Sequence, residues 1–158
     1  LEYYKHESFD IVRNISRILK PGGILLLQDL DHNCLNHYGT SQPLAAALSG
    51  VMKTLEKKAG FDPFVGKKLY SFLYDLEFED IQMNMTPHHL IYGELNAADE
   101  FNWTKKVEVA ARNSGYAFEE YHNGIEGFLE EFTSFFRDPR RFTYTALLSC
   151  RGIKKQEA

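Results

Sequence analysis

Residues 16–33, SRILKPGGILLLQDLDHN, constrain the fold of this chain more than any other stretch. The segment opens as the end of a helix, stops at Lys20-Pro21-Gly22-Gly23, and continues as an oily run from Ile24 to Leu30. Glycine just past a helix takes the left-handed conformation that closes it, and proline prevents the helix from continuing. The run that follows is apolar on both of its alternating faces, which predicts a strand covered by helices on each side. Such a strand needs a hydrogen-bonded neighbour on each edge. Residues 1–7 are too short and too polar to provide one, so the expected second neighbour lies outside this chain.

The rest of the pattern is α/β. A helix is expected from Ser8, with Ile11, Val12, Ile15, Ile18 and Leu19 on one stripe. A second is expected over 42–59, with Leu44, Leu48, Val51, Met52 and Leu55 on its apolar face. After the turn Gly60–Pro63, Val65, Leu69, Phe72, Leu73 and Leu76 line a third helix. Ile81, Met83 and Met85 alternate as the inner face of a strand that extends to Tyr92, with a break or bulge at Pro87. Helices over 97–112 and 124–136 follow, the latter carrying a stripe of phenylalanines, and RFTYTALLSCRGIKK closes the ordered chain as a strand. Few strands alternating with helices give a layered α/β domain.

Composition narrows the function. The net charge of −4 offers no electrostatic footprint for nucleic acid. Lys57, Lys58, Lys67 and Lys68 read as a solvated helix face among acids. No apolar run approaches the roughly 20 residues that cross a bilayer, so no membrane role is expected. Two cysteines, Cys34 and Cys150, are too few for a disulfide framework and fit a reducing, cytoplasmic setting. Antiparallel pairing of their strands would place them at opposite ends of the sheet, so both are expected as free thiols.

The motifs, in order, resemble the C-terminal half of a class I, Rossmann-like S-adenosylmethionine-dependent methyltransferase. Arg17 to Gly23 followed by Ile24 to Asp29 resembles the "R-x-L-K-P-G-G, apolar strand, D" element that leads into the family's fifth strand. Gly60-Phe61-Asp62-Pro63 with Gly66 and Leu69 resembles "G-x-D-P-x-x-G-x-x-L", and Leu76 to Ile81 is similar to the opening of the sixth strand. Phe142 to Leu147 resembles the antiparallel seventh strand, with Gly152 and Lys154 as the G-x-K that follows it. The resemblance implies a single partial methyltransferase domain over 1–158, with strands five and six parallel and seven antiparallel between them. It implies helical cap insertions at 31–59 and 93–141, closing over a small organic acceptor.

The family's glycine-rich cofactor turn, ribose-holding acid and fourth strand have no counterpart here. The expectation is therefore a substrate-side portion whose cofactor, S-adenosylmethionine, binds only in the complete parent protein; this chain alone would be inactive. Asp29, Asp31, His32, Tyr38, His88, Tyr92 and Trp103 are the substrate-side candidates. His32, His88, His89 and Tyr92 are the candidates for handling a proton, because histidine titrates near neutral pH, and His37 belongs to the same region. The bland alternatives stay open: Asp31-His32-Asn33 as a turn cap, one of the adjacent His88 and His89 facing solvent, and the phenylalanine stripe as core. No HxH or HExxH spacing points to a metal. The competing reading is a non-catalytic scaffold or dimerisation module, whose open strand edge recruits either the missing N-terminal half or a second copy as a homodimer.

Overall fold

A computed structural model describes residues 1–156; the side chains of 33–35 lie outside the described residues. It is a mixed α/β protein whose three strands, β1 (Ile24–Tyr38), β2 (Glu79–Tyr92) and β3 (Phe142–Ile153), form one sheet in the order β1-β3-β2. β3 runs antiparallel to both neighbours: Gly22 and Gly23 pair with Lys154, and Gln28 meets Ser149, while Asp80 meets Arg151 and Gly93 meets Pro139. The helices are α1 (Ser8–Ile18), α2 (Gln42–Lys58), α3 (Leu69–Asp75, preceded by a 3-10 turn Val65–Lys68), α4 (Ala97–Ser114) and α5 (Gly124–Arg137). The chain divides into two compact units.

Unit 1 comprises 1–34, 60–88 and 145–158. Its core joins Val12 of α1, Leu25 and Leu27 of β1, Leu69, Phe72 and Leu73 of α3, and Leu148 and Cys150 of β3. The motif residues do identifiable work there. Lys154 donates from its Nζ to the carbonyls of Ser16 at 3.0 Å and Leu19 at 2.8 Å, satisfying acceptors that the end of α1 leaves open. Gly22, at φ 76°, makes the turn after that helix. Asp62 is buried, accepts from the Phe64 backbone N–H at 3.0 Å and pairs with Lys68 at 2.5 Å. Lys67 pairs with Asp31 at 3.3 Å, so the expected solvated lysine face is partly tied into ion pairs.

Several expectations change in unit 1. The strand from Ile24 is not covered on both faces. One helical layer packs against Leu25 and Leu27, while Ile24 and Leu26 remain 57% exposed. β1 also lies at the sheet margin, with β3 as its one neighbour among the described residues. Ser8 is the first helical residue rather than the cap, and the stripe of α1 divides: Val12 is fully buried and Leu19 packs against the core, while Ile15 and Ile18 are exposed. Met83 and Met85 are exposed, because β2 is the other marginal strand and no helix of this unit covers that stretch. Pro87 does not break β2, which runs through it from Glu79 to Tyr92; a marginal strand tolerates a residue with no N–H to give.

Unit 2 comprises 35–59 and 89–144. Phe128, Phe132 and Phe136 of α5 are fully buried and pack with Leu44, Ala47 and Val51 of α2 and with Trp103 and Ala111 of α4. Burying one such ring contributes about 1.5–3 kcal/mol relative to exposure, so the phenylalanine stripe dominates this core. Ser41 caps α2 by accepting from the Leu44 N–H at 3.2 Å, and Asn96 caps α4 by accepting from the Asp99 N–H at 2.8 Å. Cys150 is a buried free thiol; the side chain of Cys34 lies outside the described residues.

Candidate functional site

The residues singled out from the sequence fall in both units. In unit 1, β1 continues through Asp31-His32-Asn33 instead of turning there. Asp29 accepts from the Leu30 N–H at 2.9 Å. His32 sits at φ 58°, a conformation rare outside glycine, and its N–H bonds the Pro63 carbonyl at 2.8 Å rather than β3. That local departure from the ladder aims its ring edge-on at Phe64, 5.3 Å between centroids, with a buried Nδ1 that has no hydrogen-bond partner. His88 is exposed.

In unit 2, Tyr38 and Tyr92 are exposed, and Trp103 is a buried core residue. His89 is half-buried and meets the Trp103 ring edge-on at 4.9 Å. Trp103 also carries the Lys106 ammonium over its face at 4.6 Å. His37 shares a 2.8 Å hydrogen bond with Thr143 and stands edge-on to Phe135 at 5.3 Å.

Thr143 belongs to a polar layer that sequence patterning misses. Along Arg141-Phe142-Thr143-Tyr144, simple alternation would turn the aromatics inward. The structure does the reverse: Arg141 is 2% exposed and Thr143 fully buried, while Phe142 and Tyr144 face outward. Arg141 donates from Nη1 to the Gly93 carbonyl at 3.3 Å, and its guanidinium lies over the Phe136 ring at 5.1 Å. Its Nε and Nη2 are buried with no hydrogen-bond partner. Burial pushes this guanidinium below the ordinary arginine value, against the pull of Asp99, Asp138 and Glu94. A buried donor without an acceptor costs about 1–3 kcal/mol, and neutralisation is no escape for arginine. The signal that could have found the layer is the arginine and threonine at alternate positions opening a strand otherwise rich in apolar residues.

A separate cleft of about 770 Å³ in unit 2 is lined by Lys53, Lys57, Lys58, Tyr116 and Glu120 among others, and shares no residue with the Arg141 layer. Its charges are mixed, and Tyr116 is already engaged with Glu120 at 2.5 Å, which raises the phenol's pKa. Tyr121 is likewise raised, by burial and by its bond to Glu131.

Neither α2 nor α4 is entered through a glycine-rich turn. The turns leading into them contain one glycine each, Gly39 and Gly93, and one N–H in the first turn of each helix, that of Leu44 and that of Asp99, bonds its own cap. Among the described residues no group of three or more His, Cys, Asp or Glu side chains could hold a metal ion, and no helix is long and apolar enough to cross a membrane. No protein-family model and no curated protein matches the chain.

Proposed function

We propose that this chain is the substrate-side portion of a cytoplasmic S-adenosylmethionine-dependent methyltransferase acting on a small organic acceptor, with the cofactor held by residues outside it. One observation carries the reading. The strand that follows the R-x-L-K-P-G-G turn and β2 flank an antiparallel strand closed by the G-x-K motif, an order in keeping with the family resemblance. The residues of 35–59 and 89–144, which begin in the last residues of β1 and β2, form a helical, phenylalanine-rich unit suited to excluding water from an acceptor.

On this reading the chain binds and orients the acceptor and takes up its proton, while the methyl donor is supplied from elsewhere. His89, with its ring position fixed by Trp103 and still half-buried, is the candidate proton acceptor in unit 2. Titration calorimetry of S-adenosylmethionine into the complete protein tests the proposal. Saturable heat is expected, and its absence sinks the methyl-transfer reading.

A second reading, a non-catalytic scaffold or dimerisation module, draws on exposed apolar residues, Ile15 and Ile18 on α1 and Ile24 and Leu26 on the uncovered side of β1. Light scattering separates the two: a clean monomer at working concentration counts against a self-associating scaffold.

A further inference from the structure

We infer that Arg141 is a receptor for the carboxylate of an apolar organic acid. Three observations carry this. The Gly93 carbonyl takes Nη1, and the Phe136 ring holds the guanidinium plane, so the side chain is fixed before any ligand arrives. The opposite edge, Nε–H and Nη2–H, is buried and unpartnered. Those two N–H groups point the same way, which is the spacing that matches the two oxygens of one carboxylate.

Charge and surroundings choose among anions. One guanidinium balances one negative charge. Arg140, its neighbour in the chain, is already bound to Asp138 through 3.0 and 2.6 Å contacts. Asp99, Asp138 and Glu94 act on Arg141 electrostatically, which disfavours a doubly charged phosphate more than a singly charged carboxylate. The packing beside the arginine is the phenylalanine core of α5, which favours an apolar body behind the carboxylate. Gly93, whose carbonyl anchors the arginine through Nη1, has open space where a side chain would be. That this acid is the methyl acceptor rests on the reading of the preceding section; the carboxylate site itself does not.

The test uses the whole chain, 15N-labelled, and follows the Arg141 Nε–H resonance while phenylacetate or its amide, phenylacetamide, is added. The proposal expects a saturable shift with phenylacetate and at least tenfold weaker binding of the amide. Arg141→Lys keeps the charge and loses the fork, and should weaken phenylacetate at least tenfold; Arg141→Gln should abolish binding. The comparison of acid with amide on the unaltered protein stands even if both variants unfold. No shift with phenylacetate at tens of millimolar, or equal binding of acid and amide, overturns the proposal. So does a shift of the same resonance on Glu94→Gln or Asp99→Asn with none on phenylacetate, since the chain's own carboxylate then fills the edge. The assay contains no methyl donor, so phenylacetate binding without S-adenosylmethionine binding by the complete protein would end the methyl-transfer reading and leave the carboxylate site intact.

Discussion

Replacing Gly66 by alanine tests the packing of unit 1 most sharply. A Cβ there would lie 2.7 Å from the Leu30 carbonyl oxygen, 3.0 Å from its carbonyl carbon and 3.1 Å from the Asp29 carbonyl oxygen. All three are backbone atoms, so no flexible side chain can move aside. Relaxing to ordinary contact requires the 3-10 turn to retreat from β1 by roughly 0.7 Å. That retreat loosens Val65 and Leu69, both fully buried. Overpacking of this kind costs about 1–3 kcal/mol, and alanine's better helical propensity offsets at most about 1 kcal/mol. A net loss of about 1–2 kcal/mol should lower the urea midpoint by about 0.5–1 M, given a slope of about 2 kcal/mol/M. Far-UV circular dichroism follows the transition. Gly127→Ala is the control: it sits inside α5, and its nearest atoms are the Tyr121 side chain at 3.3 Å and Asn123 Cβ at 3.6 Å. Its midpoint should hold or rise slightly. A Gly66→Ala midpoint equal to that of the unaltered protein, or an equal fall in both variants, would refute the close approach of the turn to β1.

Phe132→Ala, at a fully buried ring in α5, should cost about 3–5 kcal/mol, read as a Trp103 fluorescence transition displaced to lower urea. Asp62→Ala removes both the Lys68 pair and the bond to the Phe64 N–H, with an expected loss of about 2 kcal/mol in the urea titration followed by circular dichroism. The Arg140 guanidinium holds the Asp138 carboxyl down to about 2. Because its folded value is depressed, any stabilisation from this pair is present above the ordinary aspartate range and fades as pH falls from about 4 toward 2. The 13C titration of the Asp138 carboxyl should therefore have its midpoint near 2, and an ordinary midpoint would remove the pair from solution. Cys150 is buried, and burial pushes its thiol up, so in a Cys34→Ser background a thiol reagent should react only once the protein is unfolded.

Much of the fold was legible because local chemistry and tertiary packing agree. Pro21-Gly22 ends α1 as its residues require, and the helical spacing of Leu44, Val51 and Met52, and of Phe128, Phe132 and Phe136, marks faces that are buried. The motif residues that carry the family resemblance proved to be framework. Lys154 ties down a helix end, Asp62 braces a turn, and Gly66 admits a close approach. They speak for architecture and say little about chemistry. Periodicity misled where position in the sheet decides burial. Met83 and Met85 alternate correctly yet lie on a marginal strand, and Ile24 to Leu27 is oily on both faces while one helical layer covers it. The Arg141 layer was hidden for the opposite reason: a charged residue next to a phenylalanine reads as surface, and only packing of Phe142 outward sends the arginine in.

Pro87 has a consequence for how this sheet can grow. It stands within β2, at the margin opposite β1, and lacks the N–H that an incoming strand would need at that point. Glu79 and Asp80 add charge near the start of the same strand. β1 has no proline along its length and presents bare isoleucine and leucine along a sheet margin. A newcomer strand is thus turned away at the proline side, while on β1 the Pro63 carbonyl already takes the His32 N–H and the Gly66 turn lies against Leu30, so only the stretch nearer Ile24 is left to aggregation, domain swapping or productive assembly.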